Sequence, residues 1–286
     1  MIKGDHVKKD KVSIILAIFL LIGISLLLYP SISDFWNASR STRVSNEYDE
    51  EVANLSHKKI QDILEDARAY NDRLLNRSYP TTMTEEELAD YYEQLSLENS
   101  QVMANVEIPS VNISLPIYHG TSDNILQSAV GHIEWTSLPV GGLGTHSTIT
   151  GHRGLLSARL FTDIDQMVEG DVFYIYVLGE KLTYLVDQIK IVLPHEINEL
   201  LIDPNEDYVT LLTCTPYGIN THRLLVRGHR IENEEAELYL ISEATPVKPV
   251  YVALVLMVPL SIAVIILLLY FDKRRLRKEQ AKREIK

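Results

Sequence analysis

Two stretches of the chain hold no charged residue. Val12 to Tyr29 is uncharged over 18 positions and Val250 to Phe271 over 22. About 20 apolar residues in a helix cross a bilayer core of about 30 Å. The pattern therefore predicts two membrane-spanning helices, over residues 12–29 and 250–271. A cleaved signal peptide opens like the first stretch. The length of that run, and the lack of a small-x-small site in the YPSISDFWN that follows it, favour a retained anchor. Pro259 lies inside the second stretch, which a membrane helix tolerates.

Between the spans the periodicity changes twice. Over Asn46–Arg77, Val52, Leu55, Ile63, Ala67, Tyr70 and Leu74 recur at helical spacing, which predicts an amphipathic helix. A second short helix is expected from Thr84, where Thr84 and Glu87 form a capping-box pair and Leu88, Tyr91, Tyr92 and Leu95 make one face. These stripes read as packing surfaces.

From Val102 the period becomes two. Val111, Ile113, Leu115 and Ile117 alternate with Asn112, Ser114 and Pro116. Val172–Leu178 and Leu182–Leu193 flank a Gly-Glu-Lys turn, and Tyr208–Thr213 and His222–Ile231 add two further strands. Short strands with Gly-, Pro- and Asn-rich turns predict an all-β barrel or sandwich over residues 102–231. The expected order is thus a tail (1–11), a span (12–29), a helical extension (30–101), the β domain, an acidic tether (232–249), a span (250–271) and a basic tail (272–286).

Charge fixes the expected orientation. Residues 1–11 carry +2 and residues 272–286 carry +5, and positive flanks stay cytoplasmic. Both termini are then inside and residues 30–249 outside. Taking the tails from the chain's net −12 leaves −19 on that outer part. So acidic a surface argues against nucleic acid as a partner.

Cys214 is the sole cysteine, so no intramolecular disulfide can form. It ends a strand, with Pro216 and Gly218 directly after it. An inert buried thiol and a nucleophile both fit that setting. A nucleophilic thiol needs a base nearby. His119, His132 and His152 stand in similar contexts, and local sequence does not choose among them. Arg223 comes near Cys214 if the strands on either side of the Thr215–Thr221 turn pair. It would then hold a developing oxyanion; a surface ion pair is the other reading.

TLLTC followed by Arg223 resembles the TLxTC…R signature of sortases, and TGHRG resembles the segment that carries their histidine. NVEIPSVNISLPIYHGT, HIEWTSLPVGG and LFTDIDQMVEGDVFYIYV are similar to the pilus-assembling class C sortases. The resemblance covers residues 102–231. It implies a mainly β fold, a closed eight-stranded barrel with short helices, an N-terminal helical extension and two flanking transmembrane helices. It implies Cys214 as nucleophile, His152 as acid/base, Arg223 as oxyanion or positioning group, and Thr213 as a residue lining the sorting-signal groove. The implied reaction is cleavage of an LPxTG-like motif at Thr-Gly and transfer of the acyl group to a pilin lysine, with no metal or cofactor. Attachment of surface proteins to peptidoglycan is the nearest alternative, and a non-catalytic, membrane-tethered barrel the next. One feature departs from class C: between Asn46 and Val102 there is no Asp-Pro-aromatic lid motif.

Overall fold

The computed structural model describes residues 3–77 and 81–233, with side chains from residue 18 onward. The first apolar stretch lies within one unbroken helix, α1 (Lys3–Asn54), which is long and apolar enough to cross a membrane. Its continuation past Pro30 differs from the sequence expectation of a span followed by a separate helix from Asn46. The expected Asn46–Arg77 helix is instead divided at Ser56. There the Ser56 hydroxyl accepts the Lys59 N–H at 3.2 Å and caps α2 (His57–Leu75). Such caps satisfy a donor that the first helical turn leaves unpaired. α3 (Glu85–Glu93) begins with the expected Thr84–Glu87 capping box. Tyr91 and Leu95 are buried, while Leu88 and Tyr92 stay exposed.

The β domain follows as β1 (Val102–Ile108), β2 (Ile113–His119), a single helical turn α4 (Asp123–Leu126), then β3 (Val130–His132) and β4 (Thr145–Thr150). β5 (Val172–Val177), β6 (Glu180–Val192), β7 (Asp207–Thr215) and β8 (His222–Ile231) complete it. They close into a barrel in the order β1-β2-β3-β4-β7-β8-β6-β5. Closure leaves no strand edge exposed. β2–β3 and β4–β7 pair in parallel, and the other ladders are antiparallel.

Alternation along each strand sends one set of side chains inward. Val106, Ile117, Ile149, Phe173, Ile175, Leu211 and Val226 are fully buried there. Burying a side chain of this size contributes roughly 1.5–3 kcal/mol. Gly228 is required by this packing, since a Cβ there would lie 2.6 Å from the Phe173 ring.

The barrel has two distinct ends. β7 finishes and β8 starts at one, with Cys214 and Arg223. The β5–β6 turn at Leu178-Gly179 lies at the other, because β6 runs from Glu180 to a pairing of Val192 with Arg223. α2 packs at this second end. Asn71 exchanges two hydrogen bonds with the Leu138 backbone (2.8 and 3.1 Å), and Arg68 pairs with Glu180 at 3.3 Å. α1 lies along β1 and β2. The Tyr48 hydroxyl donates to the Met103 carbonyl at 3.1 Å and accepts the Leu178 N–H at 2.9 Å. The expected tether from residue 234 on, the second span and the basic tail lie outside the described residues.

Candidate active site at the β7–β8 end

Strand register assembles the site. Cys214 pairs directly with Arg223 in the β7–β8 ladder. Side chains directly opposite in such a ladder share a face, with Cβ atoms about 4.5–5.5 Å apart. Thr213 and Thr215 are buried while Cys214 is half-buried, so the thiol stands on the outer face of the strand. The Arg223 guanidinium donates to the carbonyls of His222 (3.1 Å) and Asn220 (3.3 Å), which holds it over the β7–β8 turn. A guanidinium has five N–H donors, so this anchoring leaves others for an oxyanion.

On the other side β4 runs parallel to β7, pairing Thr145 with Asp207 and Thr150 with Leu212. The same offset continues past the ladder. Gly151 N–H donates to the Leu212 carbonyl at 3.1 Å. The Thr213 hydroxyl donates to the Gly151 carbonyl at 2.7 Å, and Arg153 donates to the Thr215 hydroxyl at 3.2 Å. Both side-chain bonds join residues 62 apart, which is the separation of His152 from Cys214. His152, Cys214 and Arg223 thus come level across three neighbouring segments at one end of the barrel. Acyl transfer through a thiol calls for a base and an oxyanion donor beside the nucleophile, and this end of the barrel supplies those residue types.

The segment around His152 is closely built. A Cβ on Gly151 would meet Val130 at 2.8 Å and Phe161 at 3.0 Å, so only glycine fits there. The His152 carbonyl accepts the Phe161 N–H at 3.2 Å. Arg153 pairs with Asp165, and its guanidinium lies 5.8 Å from the centre of the Tyr217 ring. Arg153 was not singled out from the sequence, although it lies inside the quoted TGHRG. An arginine beside a candidate histidine carries no sequence mark of the strand that it grips.

The other two histidine candidates are packed against α3 and the segment that follows it. His132 is fully buried, with its Nε2 at 2.7 Å from the Ser137 carbonyl and its Nδ1 at 3.0 Å from the Tyr91 hydroxyl. Desolvation lowers its pKa to about 3. His119 holds the Gln94 carbonyl at 2.6 Å, and burial lowers its pKa too. Both are neutral packing groups that fasten α3 to the barrel.

Thr213 directly precedes Cys214 on β7. It is wholly buried on the face opposite Cys214 and spends its hydroxyl on Gly151. Strand alternation forbids neighbours on β7 from sharing a face. The bond from Thr213 to the Gly151 carbonyl holds the backbone ahead of His152.

The comparisons bear on the family and the fold. The sortase-domain family model matches residues 106–231. Sortase C1 from Streptococcus agalactiae is 44% identical, with a TM-score of 0.64 over 67% of this chain and 99% of that one. Sortase C from Clostridium perfringens, solved with the C-terminal cell wall sorting motif, is 46% identical, with a TM-score of 0.58 over 65% and 97%. Sortase A of Bacillus anthracis is 30% identical over 133 residues, 46% of this chain and 61% of the relative. The chain spans less than two thirds of the length of the curated relatives it matches. An overlay that takes in 97–99% of these solved class C enzymes and 60–67% of this chain, at over 40% identity and on a barrel of this topology, decides the assignment: the chain belongs to the sortase family, in its class C branch.

Proposed function

We propose that the chain is a membrane-anchored cysteine transpeptidase acting outside the cell, with Cys214, His152 and Arg223 as its catalytic residues. The level placement of these three at the β7–β8 end is the observation that carries the reading. The Cys214 thiolate attacks the carbonyl carbon of the threonine in an LPxTG-like motif. Arg223 donates to the oxyanion that forms, a site where one well-aimed donor contributes about 10²–10³ in rate. Collapse breaks the Thr–Gly C–N bond, and the glycine amine leaves with a proton from the His152 imidazolium. A neutral amine then attacks the thioester, gives a proton to His152 and expels the thiolate. A pilin lysine is the acceptor in this reading, which the similarity to class C enzymes favours.

Retention of α1 as an anchor is supported by its unbroken course through Pro30 into residues that dock on the barrel. In this reading both termini are inside and the barrel is outside, the orientation that the positive flanks favour. Incubation with an LPxTG-bearing pilin tests the acceptor: a ladder of covalent multimers is expected. Peptide cleavage without a ladder, together with transfer to a peptidoglycan-like amine, would give the acceptor role to the cell wall instead.

A further inference from the structure

α1 does more than tether the barrel. The Ser33 hydroxyl and the Asn37 amide both donate to the Ser157 carbonyl, at 3.0 and 2.5 Å, and the Asp34 carboxylate accepts the Arg159 N–H at 2.9 Å. These partners lie in the loop that follows His152. Further along, the same helix reaches Asn105 through Ser45 and the Leu178 turn through Tyr48, toward the far end of the barrel. Read backward, α1 climbs from the far end to the catalytic end and then enters the apolar span. Along α1, the contacts with the loop after His152 lie nearer the apolar stretch than those with Asn105 and Leu178 do.

The distances are short. Ser33 to Asn37 lie four to eight residues past Tyr29, about 6–12 Å along a helix rising 1.5 Å per residue. The headgroup zone adds roughly 5–8 Å to each side of the hydrocarbon core. At this level the surface carries unusual side chains. Ile32, Phe35 and Trp36 on α1, Leu156 in the His152 loop, and Tyr217 and Ile219 in the β7–β8 turn are 57–74% exposed. They are linked in space, since Leu156 adjoins the docked Ser157 and the Tyr217 ring lies against Gly154. Large exposed apolar groups in water mark contact surfaces. Aromatic residues beside a membrane span settle at the lipid interface.

We propose that these residues form a lipid-interface surface that seats the catalytic end of the barrel on the outer leaflet. Leu156 and Ile219 enter the headgroup region from two loops flanking Cys214, and Phe35 and Trp36 enter it from α1. The mouth of the site then opens at headgroup depth. Resting on the sortase reading, this lets the enzyme take sorting segments that still adjoin their own membrane anchors.

Depth measurement tests the placement without reference to activity. In a Cys214→Ala background the full chain has no other thiol, so single cysteines at Leu156, at Ile219 and at exposed Glu65 on α2 can each carry a spin label. The chain is reconstituted in vesicles of phosphatidylcholine and phosphatidylglycerol. Labels at 156 and 219 should lose collisions with a water-soluble nickel complex and gain them with oxygen on reconstitution, and the label at 65 should not. Nickel accessibility at 156 and 219 equal to that at 65 would overturn the proposal. Circular dichroism of each labelled chain confirms that the barrel is intact.

Discussion

Cys214 and Arg223 face one another across the β7–β8 ladder, nine residues apart in sequence and directly paired in register. The pairing brings a cation to the thiol without placing it in bonding contact, because Arg223 is fastened to the turn carbonyls. Two roles fit a cation so held, and they part under substitution. If directed N–H donors hold the oxyanion, Arg223→Lys keeps the charge, loses the planar fork, and slows acylation by about 10²-fold. Steady-state kinetics on a sorting-motif peptide checks this. A near-normal rate in the lysine variant would leave only an electrostatic role, and a near-normal rate in Arg223→Ala would remove Arg223 from the site.

Access to the thiol follows from the position of the helices. The described contacts of α2 lie at the barrel end opposite Cys214. Without an Asp-Pro-aromatic motif, Cys214 is expected to react with a bulky thiol reagent about as readily as with iodoacetamide. Alkylation followed by intact-mass spectrometry measures both rates. A bulky reagent slower by orders of magnitude would mean that the site is covered.

Two buried histidines make folding sensitive to acid. His132 is held near a pKa of about 3 and His146 near about 4, in both cases chiefly by desolvation. His146 also joins the Leu201 carbonyl to the Thr210 hydroxyl. The unfolded chain, with histidines near 6.5, binds more protons than the fold between those values. Their stabilisation is therefore complete above about pH 6.5 and declines as pH falls toward 4 and 3, by up to about 1.4 kcal/mol per pH unit for each ring. Thermal unfolding from about pH 7 down to about pH 5 should show a falling midpoint. His146→Gln should lower the midpoint at neutral pH and flatten its fall; an unchanged slope would contradict the assignment.

Much of this was legible in the sequence. The capping box at Thr84, the β6 and β8 strands and the Cys214–Arg223 pairing all follow from local pattern and one turn. What local pattern did not hold is long-range. That His152 comes level with Cys214 depends on β4 lying parallel to β7, a crossover that no short window records. The bond from Thr213 to the Gly151 carbonyl, across 62 residues, is likewise beyond any short window. The break at Ser56 was missed because the apolar stripe continues across it. The docking of Ser33, Asp34 and Asn37 leaves no hydrophobic signature at all, since it is made by hydrogen bonds to backbone groups.

The thioester is the most direct test. Full-length chain mixed with an LPxTG-bearing peptide and no added amine should accumulate an acyl-enzyme whose mass gain equals the fragment ending in threonine, mapped to Cys214. His152→Ala should fail to form it, having no proton for the leaving amine, and Cys214→Ala should fail while unfolding at nearly the same temperature as the parent. An adduct on another residue, or undiminished peptide cleavage by Cys214→Ala, would contradict the assignment of Cys214 as the nucleophile.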